Sequence, residues 1–504
     1  MRVLISILLF NQLIFSANIL SNCIVAPDTR TFERFQFTFP EQIESEHFIV
    51  HFTTSNADSQ FVNEQWLNLQ CNFGYAQSVI ELAEYALAIF MEADWEMMPP
   101  DCDEGITDEE SPNHCNNFGG NALYDIYLAN DAVGLVAPEN PYPVEPYIGG
   151  FTSFMQVTPL GNDHTFVPDW SVHVIAHELH HAIQIRYGTS VSGEPGNYAY
   201  NGWLYEQTST YMENVIFPAS YHFLVMMGNC NITSPLTYPE ISIDSSVDIY
   251  QYRSALWQKF LVEAYGDSTI NRLIWEGFGL ETATGNPVNM FPIYESALQT
   301  VTDGVTTLGD AYQDYALWRY FTGSRSRPGE FFMQAASYCT ANLLAIEETP
   351  TTFPSEKGGA RLVKLLPYET NLLLASSAYD NLLVQHISFS EEDEILMSSI
   401  EVNGEESFFQ LYNPAGDNHA LLITSEYTGE PGEEIEFTLA NTVPFMEGDI
   451  TGDSMVNVQD IIVQINIILH QIDPTEYQWL AADLDENNVV DVLDVILLVN
   501  LILG

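Results

Sequence analysis

HVIAHELHHAIQ, residues 173–184, sets four histidines and one glutamate into twelve positions. On a helix, residues four apart share a face, so His177 and His181 can aim imidazole nitrogens at one ion. Glu178 follows the first of them and lies beside the open side of such an ion. This is the HExxH arrangement: two zinc ligands plus a carboxylate that takes a proton from water activated by the metal. His173 and His177 are also four apart, but that register puts no glutamate after the first ligand. His180 points elsewhere, to packing or to the surface. Val174, Ile175, Ala182 and Ile185 give the helix an apolar face.

A catalytic zinc takes three protein ligands and keeps one open position. A third histidine six residues after His181 is ruled out, because position 187 is Tyr. Further on, NGWLYEQTSTYMEN, residues 201–214, reads as a second helix with Glu206 and Glu213 seven apart on one face. Glu206 is the expected third ligand. Glu213 is either the alternative ligand or a group that orients an imidazole.

The rest of the chain sets the frame. Its 504 residues exceed one ordinary core and predict two to four domains. With 46% hydrophobic and 12% aromatic residues, it has enough apolar material to fold. Thirteen Lys and Arg against 69 Asp and Glu give a net charge of -56. Such a surface repels nucleic acid and anionic lipid and attracts divalent cations. The N-terminal MRVLISILLFNQLIFSANILSN has the form of a secretory signal peptide over residues 1–22, with an uncleaved anchor or lipidation at Cys23 as alternatives. No later stretch is long and apolar enough to span a bilayer, so a secreted or cell-surface location is expected. Six cysteines permit disulfides, first of all Cys102 with Cys115 across an acidic loop.

Strands are expected at 47–53, 122–129 and 151–158, and a helix at 75–95. More helices follow the histidine cluster, at SALWQKFLVEAYG and DAYQDYALWRYFTG among others. From about residue 355, short apolar runs such as ARLVKLL, NLLVQHISF and HALLITSEY alternate with turn residues, the pattern of a β-sandwich. The last sixty residues hold a repeat: NVQDIIVQINIIL from Asn457 and DVLDVILLVNLIL from Asp491 align at an offset of 34. Each copy overlaps a loop with calcium-type spacing. In DITGDSMVNVQD the ligand positions are Asp449, Thr451, Asp453, the Met455 carbonyl, Asn457 and Asp460. In DLDENNVVDVLD they are Asp483, Asp485, Asn487, the Val489 carbonyl, Asp491 and Asp494.

AHELHHAIQ followed by WLYEQTSTYMEN resembles the gluzincin metallopeptidases, and most closely secreted bacterial proteins of that class. GGNALYDIYLA, YRSALWQKFLVEAYG and DYALWRYFTGSR extend the likeness over roughly residues 45–330. The resemblance implies a two-lobed zincin-like fold, zinc on His177, His181 and Glu206, and Glu178 as general base. It also implies an oxyanion-stabilising group from the helical lobe, for which Tyr252 is the candidate. With no exopeptidase motif upstream, an endopeptidase is expected. The C-terminal repeat resembles a type I dockerin, which implies Ca2+ and a cohesin-bearing scaffold or cell-surface partner. Thr451 and Ser454 depart from the usual Asn and Gly of the first loop, and Val458, Gln459, Val492 and Leu493 from the Ser/Thr pairs of well-known dockerins.

The expected architecture is therefore multidomain α+β: signal peptide 1–22, zincin-like metallopeptidase domain 23–345, β-sandwich 346–443, and an all-α dockerin 444–504 with paired calcium loops. The expected substrate is a protein or peptide. A surface adhesion or scaffold protein that retains the fold without catalysis is the alternative.

Overall fold

The computed structural model describes residues 33–504 apart from 63–64, 103–104, 106–107, 109–113, 130–133, 158, 160–171, 189–197, 219–220, 283–287, 347–350, 357, 366–369, 378–381, 390–394, 401–406, 413–418, 426–433, 443–445, 453–454, 475, 486 and 504. The expected signal peptide and Cys23 lie outside the described residues. Two compact units emerge, one made mostly of residues up to Asn342 and the other of residues from Leu343 onward.

The first unit begins with a five-stranded mixed sheet. Its strands are β1 (Glu41–Glu44), β2 (Phe48–Phe52), β5 (Tyr124–Tyr127), β6 (Gly134–Pro141) and β7 (Phe151–Val157), in the order β1-β2-β5-β7-β6. β2, β5 and β7 run parallel, while β1 and β6 are antiparallel edges. A separate hairpin pairs β3 (Ser59–Val62) with β4 (Gln65–Asn68). The central strands are buried on both faces, which explains their nearly unbroken apolar sequence. Helix α1 (Phe73–Glu92) packs on β2, burying Tyr75, Val79, Ile80, Ala83, Ala86, Leu87 and Phe90 at helical spacing. The Asn72 side chain caps its first turn by accepting from the Tyr75 amide.

Arg34 locks this lobe together from the N-terminal side. Its guanidinium contacts Asp101 at 2.7 Å, Asp125 of β5 at 2.5 Å and Glu139 of β6 at 2.7 Å. All four side chains are largely buried; Asp125 also meets the His51 ring, and burial followed by Asp125 raises the Asp101 carboxyl to about 9, so Arg34 is the centre of a shared network. Removing one member of such a buried set costs about 3–5 kcal/mol.

Helix α2 (Val172–Tyr187) carries the histidine cluster and packs against α1, β6 and β7. The sequence predicts an apolar face at Val174, Ile175, Ala182 and Ile185, and all four are buried. In the structure every residue from His173 to Tyr187 is buried. Its polar side chains face other protein groups, and this is what permits polar residues on a fully enclosed helix. Helices α3 (Tyr198–Ile216), α4 (Tyr221–Gly228), α5 (Tyr250–Arg253), α6 (Ala255–Tyr265), α7 (Ile270–Thr282), α8 (Met290–Val301) and α9 (Leu308–Tyr320) follow. Their core gathers Trp257, Tyr294, Tyr312 and Tyr315. Gly266 ends α6 in the left-handed conformation, at φ 68, where a side chain would be strained. Cys102 joins Cys115, as expected, and Cys230 joins Cys339 across 109 residues, a pairing the spacing did not single out. Cys71 is buried and has no disulfide among the described residues.

The second unit holds two antiparallel-rich sheets. One orders β13 (Leu396–Ile400), β12 (Leu382–Ser388), β15 (His419–Ser425), β10 (Ala360–Lys364) and β8 (Leu344–Ala345). The other orders β14 (Ser407–Tyr412), β11 (Thr370–Ser377), β16 (Glu434–Thr442) and β9 (Thr351–Glu356). Val363, Val384, Leu421 and Ile423 of the first sheet share a core with Phe437 and Leu439 of the second, which makes the pair a sandwich. The chain then forms helices α10 (Val458–Ile468), α11 (Glu476–Ala482) and α12 (Val492–Leu503) around Ile450, Ile467, Ala481 and Leu498.

Candidate metal centres

Packing of α2 against α3 brings His177, His181 and Glu206 together, each fully or almost fully buried. One donor atom from each lies within 4.8 Å of the others. The Glu206 Oε2 is 3.0 Å from His177 Nε2 and 3.4 Å from His181 Nε2. Donors bound to one zinc at about 2.0–2.2 Å in tetrahedral geometry stand about 3.4 Å apart.

The outer nitrogens are also held. His177 Nδ1 donates to Glu213 Oε1 at 2.7 Å, and His181 Nδ1 donates to Gln184 Oε1 at 2.7 Å. Gln184 is itself fixed by its amide on the Tyr205 carbonyl at 3.1 Å. Because Nδ1 carries the proton, the neutral His181 ring turns an Nε2 lone pair toward Glu206. Among the described residues the nearest polar group to that buried Nε2 is Glu206 Oε2 at 3.4 Å, too long for a strong hydrogen bond. Two acceptors facing each other in a buried site are unfavourable without a cation between them, so the donor set fits a metal.

Electrostatics point the same way. Burial, then His177, lowers the pKa of His181, with Glu206 opposing, so the ring stays neutral as a ligand must. Burial by itself would raise the Glu206 carboxyl, but His181 and His177 outweigh it and hold it at about 2. Glu213 is also driven far below the ordinary carboxylate range, because His222 and His177 overcome its burial. It stands on the Nδ1 side of His177, outside the group formed by His177, His181 and Glu206.

Glu178 is buried next to this cluster, under the edge strand β6. A Cβ on Gly134 would stand 2.3 Å from Glu178 Oε1, so only glycine lets β6 pass this close to the carboxylate. The Tyr252 ring lies 6.0 Å from His177, near-parallel at 28°. Asp248 (φ 48) and Ile249 (φ 57) adopt left-handed backbone just before the turn of α5 that carries it. A β-branched residue there is strained. Arg253 holds the segment by donating to the Asp248 carbonyl at 3.1 Å and the Thr233 carbonyl at 2.7 Å.

His180 turns the other way, as its register predicts, and is core rather than surface. Its ring meets Trp95 edge-on at 4.8 Å, and Ser209 Oγ is 3.0 Å from its Nδ1. Burial, then His181, pushes its pKa well down. Three participants escaped the sequence reading: Gly134, Gln184 and His222. Gly134 and His222 have no spacing relation to HExxH, and Gln184 is one of many polar residues on the helix.

In the C-terminal loops the acidic side chains are arranged by backbone amides. Asp460 Oδ1 accepts from the Thr451 amide at 2.8 Å, its Oδ2 from the Asn457 amide at 2.8 Å, and Asp449 accepts from Gly452 at 2.9 Å. In the second loop Asp494 accepts from Leu484 and Asp491, Asp483 from Asn487 and Asn488, and Asn487 from Val489. Asp483, Asp485 and Asp494 offer donor oxygens within 4.8 Å of one another. Asn488, at φ 60, takes the sharp turn at loop position 6. Asp453 lies outside the described residues; Met455 and Val489 are exposed at position 7, and Asp491 accepts from the Leu493 amide at 2.7 Å.

Residues 166–294 match a family of unknown function, DUF6055, and residues 447–503 match the type I dockerin domain. None of the curated proteins matches the chain. The chain thus carries a C-terminal type I dockerin domain, a calcium-binding module.

Proposed function

We propose that the protein is an exported zinc metallopeptidase, acting as an endopeptidase and tethered through its dockerin to a cohesin-bearing scaffold or cell-surface partner. The observation that carries the enzymatic reading is the convergence of His177 Nε2, His181 Nε2 and Glu206 Oε2, with both imidazoles anchored at Nδ1. Zinc bound there supplies a Lewis acid that polarises a carbonyl and lowers the pKa of water. Glu178 takes the proton from the attacking water and passes it to the leaving amine. β6 is an edge strand, and its Gly134 covers Glu178, so an extended peptide adding to that edge is set beside the base. Tyr252 serves the developing oxyanion from the helical side.

For the dockerin, symmetry-related positions of the repeat leave apolar side chains exposed: Val458 and Val492, Ile462 and Ile496, Leu469 and Leu503. Such a surface on a chain of net charge -56 suits a protein partner. Among the described residues no helix is long and apolar enough to cross a membrane. The N-terminal apolar run supports export.

The test compares zinc content and casein hydrolysis of the wild type and Glu178→Gln, in calcium. The expected outcome is equal zinc in both, with hydrolysis about 10²–10⁴-fold lower in the variant. Zinc-loaded wild type and variant with equal rates would remove Glu178 from the chemistry.

A further inference from the structure

One helical turn before the HExxH pair, a second set of the same donor types is assembled. His173 stands four residues before His177 on α2, Glu213 seven after Glu206 on α3, and His222 comes from α4. All three are buried, with relative exposures of 7%, 0% and 8%, and one donor atom from each lies within 4.8 Å of the others. The His173 and His222 rings stack with centroids 4.1 Å apart and planes 15° apart. His222 Nδ1 sits 2.6 Å from Glu213 Oε2, while Glu213 Oε1 serves His177.

We propose that His173, Glu213 and His222 form a second transition-metal site, of the zinc-binding His₂Glu type, linked to the first through the Glu213 carboxylate. Two imidazoles and a carboxylate are the donor chemistry of borderline divalent ions such as zinc, and poor for calcium. Among the described residues no hydrogen bond engages the His173 ring, although it is more than nine-tenths buried and faces a buried carboxylate. An ion gives it the partner that a buried polar ring requires. Binding replaces the proton between His222 Nδ1 and Glu213 Oε2 and opens that contact from 2.6 Å to about 3.4 Å. The ion would clip α2 and α4 to α3, directly behind the first site. The sequence already holds the pattern: histidines at 173, 177 and 181 form a ladder on one face, and glutamates at 206 and 213 form another. The proposal does not depend on the first site being hydrolytic.

The experiment is zinc titration of the full-length, untagged chain with calcium sites saturated, read as bound zinc per chain by elemental analysis. Wild type, His222→Gln, His173→Gln, His181→Gln and the His181→Gln/His222→Gln pair are compared, with circular dichroism and a thermal melt for each. About two zinc ions in the wild type, about one in each single variant and none in the pair is the expected result. One zinc in the wild type, kept by His222→Gln and lost by His181→Gln, overturns the proposal and leaves the cluster a hydrogen-bonded buttress of His177. A wild-type count of one overturns the proposal even if a variant fails to fold. Two zinc ions without casein hydrolysis would sink the peptidase reading and leave this one standing; a count unchanged by His181→Gln would instead remove the HExxH site.

Discussion

The His–Glu cluster and the acidic loops of the dockerin both gather metal donors, but from opposite distances along the chain. His177 and Glu206 are 29 residues apart and meet only because α2 and α3 pack. The second calcium loop draws all its donors from Asp483 to Asp494, twelve consecutive residues. In the first case a packed protein holds the donors whether or not an ion is present: His177 leans on Glu213, His181 on Gln184, and Gln184 on Tyr205. In the second, short loops crowd carboxylates that repel one another, so the ion itself contributes to the fold. Long-range assembly yields a site rigid before binding, and local assembly yields one stabilised by binding.

Calcium removal should separate the two most widely. With calcium at about 1,000 times its dissociation constant, binding contributes about 4 kcal/mol. Dialysis to calcium-free buffer should then cut amide-exchange protection in α10 and α12 by about 10³-fold while α2 and α3 keep theirs. Equal loss in α2 would break the contrast.

Next in size is Gly134→Ala. The added methyl would meet Glu178 at Oε1, Cδ and Cγ, so this buried side chain must shift, and zinc content and a thermal melt are measured alongside activity to separate displacement of the base from loss of fold. The displaced base should cost about 10²-fold in hydrolysis, since misplacement of about 1 Å has that effect. Unchanged kcat/KM would show that Glu178 does not work from the position it holds under β6.

The smallest effect expected is that of Gln184→Leu. Loss of the shorter of the two Nδ1 contacts of His181, with Ser209 Oγ at 3.0 Å remaining, should weaken zinc binding by about 10-fold, the low end for losses of ligand-orienting groups. Calcium binding, measured in the same calorimetric experiment, should not change. A fall in both would mean that the two sites are not independently built.

How much of this was legible in the sequence differs between the same two regions. The donor positions of the dockerin loops were proposed one by one from local spacing alone, whereas Asn488, at φ 60 in loop position 6, was not singled out. At the histidine cluster the spacing gave His177, Glu178 and His181 and left two roles open for Glu213. What it could not give was Gly134, from a strand whose GLVAPENP lacks alternation and contains two prolines, or His222, from a short helix with no periodic link to α2. His180 was left between packing and surface, and the structure puts it in the core against Trp95. The apolar face of α2 expected from Val174, Ile175, Ala182 and Ile185 is buried, but periodicity did not show that the polar residues of the helix are buried too.

By itself the sequence determined the local chemistry: a helix with two histidines one turn apart and a glutamate between them, a later helix with paired glutamates, and two acidic loops at an offset of 34. Helical and loop geometry are set by neighbours in the chain, so residue type and spacing suffice. Only the tertiary structure decided that Glu206 faces the Nε2 atoms of His177 and His181 while Glu213 meets His177 at Nδ1, and that β6 covers Glu178. It also decided that His173 and His222 stack behind them. Those relations depend on how helices rotate and strands order when apolar surface is buried, a choice made by the whole core rather than by any one segment.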